Sequence, residues 1–565
     1  MFSRREFMSA TAAVSAVMGL GLSGRWSRAA AQQRLTEDDL LGTGNFGNLT
    51  LLHITDIHAQ LKPLYFREPS INLGVGEVSG LPPHVTGAAF LKLFNIKPGS
   101  PDAYALTSED FAALARTYGR MGGLDRVATI VKRARAERGA ENVVLLDGGD
   151  TWQGSYTSNK TAGADMIAAM DLLQPDAMTG HWEFTYGTER VKEVIESLSF
   201  PFLGCNIFDA EWDEPAFDAY RIVERGGVKV AIIGQAFPYT PIANPRWMIP
   251  EWSFGIREEQ VAKAVDDVRA EGADLVILLS HNGFDVDRKL ASRVRGIDIV
   301  LTGRTHDALP EPVMVGKTLL IASGSNGKFL SRLDLDVRDG ALKDFRYRLI
   351  PVFSDVIQAD QEMAALIDEV RAPYENDLKR ELGRTEALLY RRGNFNGSWD
   401  DLFCDALLEE RDAEIALSPG FRWGPTLPAD SVITVEDLHN CCAMTYPAAY
   451  RSTMNGTTLK TVLEDVADNL FNTDPYYQQG GDMVRVGGMG FTIDPTRSIG
   501  SRISDMTILS NGKTVEASRD YVVAGWASIG ENTEGPPIWD VVESYLAKNP
   551  VFRLKENRSV QLRGI

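Results

Sequence analysis

Hydrophobic positions along the first half of the chain alternate between two rhythms. Short continuous apolar runs at 49–55, 143–146, 228–234, 275–279, 297–301 and 318–322 predict buried strands. Between them, apolar residues recur at helical spacing. Leu124, Val127, Ile130, Val131 and Ala134 predict a helix over 122–138, and similar patterns predict helices over 165–173 and 258–270. Strands alternating with helices imply an α/β or α+β layered domain. His53 sits inside the first apolar run and reads as a hydrogen-bonded core residue.

From 357 to 382 the pattern turns helical and strongly charged, which predicts a linker helix between two domains. A second domain over 384–565 then opens with a helix at 399–411 and has an amphipathic helix at 459–470. Residues 62–120 do not fit a minimal α/β plan. An insertion this long beside a strand end is usually functional, and it is expected to help shape a substrate entrance. A chain of 565 residues exceeds one core, so two domains over 44–356 and 384–565, joined by a linker over 357–383, suit its length.

Composition is ordinary for a globular protein, but the formal charge of −19 argues against nucleic acid or an anionic membrane as partner. An anionic substrate would then need a local positive site, metal or arginine. Cys205, Cys404, Cys441 and Cys442 show no C-x-x-C spacing, so no disulfide framework is expected. At the N-terminus, Ser3-Arg4-Arg5-Glu6-Phe7-Met8 precedes a weakly apolar stretch and a small-residue cleavage site at Ala29-Ala30-Ala31. Residues 1–31 thus resemble a twin-arginine export signal, and the mature protein is expected to be periplasmic, soluble and monomeric.

The chemistry lies where strands hand over to loops. Five motifs occur in order: Asp56-Ile57-His58, Gly148-Gly149-Asp150, Gly180-His181-Trp182-Glu183, Ser280-His281-Asn282-Gly283 and Gly303-Arg304-Thr305-His306. Residues two apart in an extended segment share a face, so Asp56 and His58 can reach one ion. Asp150, after a tight Gly-Gly turn, can bridge two. Carboxylate and imidazole ligands gathered this way suit divalent transition metals. Two such ions about 3.5–4 Å apart clamp an attacking water and a tetrahedral oxyanion.

In this order the motifs resemble those of the calcineurin-like metallophosphoesterases, and the second domain resembles that of their 5′-nucleotidase branch. The latter likeness rests on Asn396-Gly397-Ser398-Trp399, Gly420-Phe421-Arg422, and Tyr450 to Asn455-Gly456. The resemblance implies a four-layer N-terminal β-sandwich flanked by helices and a C-terminal 5′-nucleotidase-like α/β substrate-binding domain. It places Asp56, His58, Asp150 and His306 on one metal, and Asp150, His181 and His281 on the other.

The departures narrow the reading. His181 stands where the family has asparagine, Trp182 where it has the histidine that assists the leaving group, and Arg304 where it has a ligand histidine. The nucleotidase G-G-D-G segment appears here as Ala524-Gly525-Trp526-Ala527. These features resemble the SoxB-type thiosulfohydrolases of the periplasmic sulfur-oxidising (Sox) system. That resemblance implies two Mn²⁺ ions, with Zn²⁺ or a mixed pair as alternatives. It also implies hydrolysis of a cysteine S-thiosulfonate on a SoxYZ-type carrier protein, releasing sulfate. Asp150, Trp182, Arg304 and Arg422 are the expected catalytic residues. Arg422 would grip the sulfonate, and Tyr446 and Trp526 would line a channel for the carrier's arm. The alternatives are a periplasmic 5′-nucleotidase or cyclic-nucleotide phosphodiesterase, disfavoured by the missing G-G-D-G, and a non-catalytic binding module, disfavoured by the retained ligands.

Overall fold

Side-chain alternation along each strand explains the layering. In strand Leu49–Ile54, Leu49 and Leu51 join one apolar cluster while Leu52 and Ile54 join another. The first cluster is shared by two sheets. One runs in the order Ala341–Pro351, Phe329–Arg338, Leu49–Ile54, Val143–Asp147, Ala177–Met178. The other runs Val313–Val315, Thr318–Ala322, Ile299–Thr302, Leu275–Ser280, Val228–Gln235, Tyr220–Arg225. Helix Leu124–Arg138 covers the outer face of the first sheet, and helices Glu258–Ala270 and Phe284–Arg293 cover the second. The result is the four-layer sandwich implied by the resemblance. This computed structural model describes residues 35–42, 44–556 and 558–565, so the twin-arginine segment lies outside the described residues.

Leu49–Ile54 pairs in parallel with Val143–Asp147, and Leu275–Ser280 in parallel with Val228–Gln235 and Ile299–Thr302. The carboxyl ends of these strands therefore open on one side, the usual place for a site in such sheets. In the C-terminal half, Ile415–Ser418 pairs with Arg485–Gly487 and Asp520–Gly525, and helices Ser398–Glu410 and Ile538–Lys548 pack nearby.

Two expectations change. The linker helix is shorter than 357–382: it runs Gln361–Arg371, turns through Ala372–Tyr374, and resumes only over Glu375–Leu378. Pro373 has no N–H and a fixed φ, which ends the helix there. Glu381–Thr385 is already a strand paired with Val432–Thr434.

The insertion at 62–120 holds a single 3₁₀ turn, Gly76–Val78, and three short α-helices, Gly87–Leu93, Pro101–Leu106 and Phe111–Tyr118, and its first part crosses to the C-terminal half. Tyr65 bridges Thr426, Leu73 N–H donates to Asn394 Oδ1 at 2.6 Å, and Val75 joins the apolar core around Phe395 and Leu459. Among the described residues no helix is long and apolar enough to cross a membrane. All four cysteines are free and buried.

Candidate active site

Three of the five motifs leave their strands through left-handed turns, while His181 keeps a φ of −152°. Asp56, His58, Asp150, Arg304 and His306 have φ of 52°, 50°, 58°, 75° and 59°. This conformation is costly for non-glycine residues and persists only where the surroundings enforce it. Gly303 allows the close approach, since a Cβ there would lie 2.7 Å from His281 Nδ1.

The turns bring the predicted ligands together as two overlapping groups: Asp56, His58, Asp150 and His306, and Asp150, His181 and His281. All six residues are buried. Asp150 Oδ2 lies 3.0 Å from His281 Nε2, 3.2 Å from His181 Nδ1 and 3.7 Å from His58 Nε2. His306 Nε2 lies 3.2 Å from Asp56 Oδ1 and 3.1 Å from His58 Nε2. Two imidazole nitrogens this close, beside two buried carboxylates, form a donor set that a cation satisfies. Burial pulls His58 down to about 4 and His181 down to about 3, which favours the neutral imidazole a metal needs. Burial also opposes charge on His281, but Asp150 and Asp56 outweigh it and lift that ring to about 9. His281 Nδ1 faces the Gly148 carbonyl at 2.6 Å, which aims Nε2 at Asp150. The residues fit a dinuclear centre.

Backbone amides hold the carboxylates. Trp182 N–H donates to Asp150 Oδ1 at 2.7 Å, and Arg304 N–H donates to Asp56 Oδ1 at 3.1 Å. Glu183, in the motif but without an assigned role, accepts from the N–H of His181 and of Thr151, each at 2.7 Å.

A cavity of ≈ 220 Å³ reaches the cluster at His306 and is walled by Trp182, Phe237, Phe421, Trp423 and Tyr446. Ile242 and Ile529 line it too and are exposed, which marks its mouth. Trp423 stacks on Phe421 at 5.5 Å and on the ligand ring of His58 at 6.0 Å. It went unassigned, although it lies in the same Gly-Phe-Arg-Trp-Gly run as Arg422. Trp526 stands behind Phe421, 5.7 Å away, with its N–H on Ser418 Oγ, so the structure sets it outside the cavity wall. Tyr446 lines the wall, its hydroxyl donating to the Ala243 carbonyl at 2.5 Å.

Arg304 and Arg422 both face the cavity. Arg422 donates from Nε to Asp482 Oδ1 at 3.3 Å and from Nη1 to the Thr305 carbonyl at 3.1 Å. Burial, aided by nearby Arg392, brings its guanidinium down to about 10, still charged at neutral pH. Arg304 lies 4.5 Å over the Phe237 ring. His84, in the insertion, pairs with Asp285 at 2.6 Å. Asp482 and Arg392, which hold Arg422 and Thr305, carry no recognisable motif.

Residues 383–542 match the 5′-nucleotidase C-terminal domain family. The chain is similar to the sulfate thiohydrolase SoxB of Thermus thermophilus, solved in complex with glycerol. The two are 36% identical with a TM-score of 0.89, covering 93% of this chain and 98% of that one. It is also similar to rat 5′-nucleotidase, 26% identical over 71% of this chain and 75% of the relative. A 5′-nucleotidase precursor, also from Thermus thermophilus, is 19% identical with a TM-score of 0.71 and shares the fold across 91% of this chain and 99% of its own.

Proposed function

Since the chain belongs to the SoxB family, we propose that it is a thiosulfohydrolase acting on a cysteine S-thiosulfonate carried by a SoxYZ-type protein in the periplasm. Water adds to the terminal sulfonate sulfur and the S–S bond breaks. Sulfate leaves, the carrier keeps its cysteine persulfide, and two protons are released. Asp56, His58, Asp150 and His306 would hold one divalent ion, and Asp150, His181 and His281 a second, as Mn²⁺, Zn²⁺ or a mixed pair. When bound, such a pair supplies Lewis acidity toward the oxyanion and the water.

The chain's own residues do the rest. Arg422 and Arg304 present guanidinium groups to the sulfonate oxygens. Trp182 fixes the shared carboxylate through its backbone and walls the cavity with its ring. Replacing the family's assisting histidine costs little here, because a sulfur leaving group is a weak base and needs little protonation.

The observation that carries this reading is the cavity itself. Phe421 and Trp423 stack on each other in its wall at 5.5 Å, which leaves them less free to sandwich a nucleobase. The cavity they line with Tyr446 runs from His306 to the exposed Ile242 and Ile529, a course that suits an extended peptide arm. Export in the folded state by the twin-arginine route and a monomeric chain belong to the same reading.

The test is direct. Metal-loaded protein incubated with a thiosulfonate-bearing carrier is expected to yield sulfate by ion chromatography. Asp150→Ala is expected to lower the rate on the order of a thousandfold, because it removes a ligand common to both ions. Phosphate release from AMP without sulfate release would favour the nucleotidase reading and sink this one.

A further inference from the structure

A carrier arm that fills the larger cavity creates a difficulty. The sulfonate at its tip reacts at the inner end, so the product anion forms behind the departing sulfur. We propose that the smaller cavity beside the site is a tetrahedral-oxyanion site, through which sulfate leaves while the arm is still in place. This rests on the thiosulfohydrolase reading for the identity of the anion.

The smaller cavity, ≈ 40 Å³, is lined by Arg304, Arg422, Asn469 and Gly480, all of which also line the larger one. The two arginines are thus a common wall, able to pass an anion from one side to the other. Arg422 is only 7% exposed, and Arg304 Nε is buried with no hydrogen-bond partner. Beyond them the lining turns to uncharged amides: Asn282, Asn394 and Gln478.

The first turn of helix Phe284–Arg293 also faces this space; its N-cap is Gly283, which offers no side chain, and Phe284 N–H has only a long bond of 3.4 Å to Thr305 Oγ1. The carboxylates there face basic partners, although Asp285 Oδ1 lies 3.6 Å from Arg288 and makes no hydrogen bond of its own. Asp285 pairs with His84 at 2.6 Å, and Asp307 accepts from Arg392 at 3.2 Å and from Asn72 at 3.1 Å. The volume suits a few waters or one small anion and excludes a peptide arm. Leu73, Leu470 and Gln478 are part-exposed, so the cavity reaches solvent at that end.

This also gives the insertion a place. No residue of 62–120 lines the larger cavity, whereas Asn72, Leu73, Pro83 and His84 line the smaller one. The segment expected to shape the substrate entrance walls the second cavity instead.

Crystals of the metal-loaded full chain soaked in selenate, a tetrahedral dianion with its own anomalous signal, decide the matter first. Anomalous density between Arg304, Arg422 and the helix start is expected. Density only at the metal cluster, or none, overturns the proposal. This arm needs no carrier, so it stands even if wild-type protein releases no sulfate, a result that would defeat the thiosulfohydrolase reading alone.

The second arm plugs the outer rim with Gln478→Trp and, separately, Leu73→Trp. Steady-state sulfate release is expected to slow about tenfold, while the single-turnover rate stays within about twofold. Equal slowing of both rates, or of neither, overturns the exit route. Two plugs from different segments separate a blocked passage from a local folding defect.

Discussion

Glu183 collects backbone N–H groups from both sides of the cluster: His181 and Thr151 at 2.7 Å, Asp150 at 3.3 Å and Trp152 at 3.4 Å. It holds two ligand-bearing turns in register and is not itself among the clustered donors. Glu183→Ala leaves these buried donors without an acceptor, and a loss of about 3 kcal/mol of stability is expected. Metal affinity should fall about 10–100-fold, as for other groups that orient ligands. Urea unfolding with metal analysis of the same sample reads both, and wild-type values in each would reject the role.

Asp287 gives a different signature. It accepts from Ser280 Oγ at 2.7 Å and Asn282 Nδ2 at 2.9 Å, but its Oδ2 is buried without a partner. Burial pushes it up from the ordinary 3.8 to about 6. The folded state therefore keeps a proton that the unfolded chain gives up. Its contribution to stability is full below about pH 4 and is lost as pH rises through 6. Asp287→Asn does not titrate, so its stability relative to wild type should improve by about 2 kcal/mol between pH 4.5 and 7.5. A difference that does not change with pH would contradict this.

At the scale of elements, what the sequence discloses depends on how local the cause is. Five of the six candidate metal ligands are legible because each follows an apolar run by a few residues; His181 is legible only from its place in a known motif order. Helix Glu258–Ala270 is legible because its apolar face is periodic. The break in the linker is written in Pro373, but the charged helical pattern around it conceals it. Asp482 and Arg392 reach Arg422 and Thr305 from far along the chain, so no local spacing marks them, and Trp423 adjoins Arg422 in sequence but meets His58 only in the fold. The destination of the insertion is hidden for the same reason.

One anchor of that insertion can be measured. Lys328, at the head of strand Phe329–Arg338, donates to Glu68 Oε1 at 2.6 Å and to the Phe66 carbonyl at 3.1 Å, and both side chains are buried. Glu68→Ala leaves an unpaired buried cation and is expected to cost about 3–5 kcal/mol. Pairing Glu68→Leu with Lys328→Met should recover most of that. A double-mutant cycle with no coupling would show that the pair does not hold the insertion.

Over the whole molecule, all six ligands belong to the N-terminal half, yet the halves are tied in several places. Arg371 in the linker grips Glu436 with two bonds at 2.6 and 3.0 Å, Gln153 donates to the Ala443 carbonyl at 2.5 Å, and Arg422 reaches Thr305 at 3.1 Å. Exposed ion pairs would couple the halves weakly, but these groups are mostly buried, and Val75 carries apolar surface of the insertion into the opposite core. Thermal unfolding is therefore expected to be one transition, and metal at about a hundred times its Kd should stabilise it by about 2.7 kcal/mol. Val75→Asp places a charge where the insertion enters the C-terminal core and should divide that transition in two. Only the transition of the half holding Asp56, His58 and Asp150 should then move on adding chelator. A single transition in the variant, shifted as a whole by chelator, would mean that the remaining interface couples the halves without the insertion.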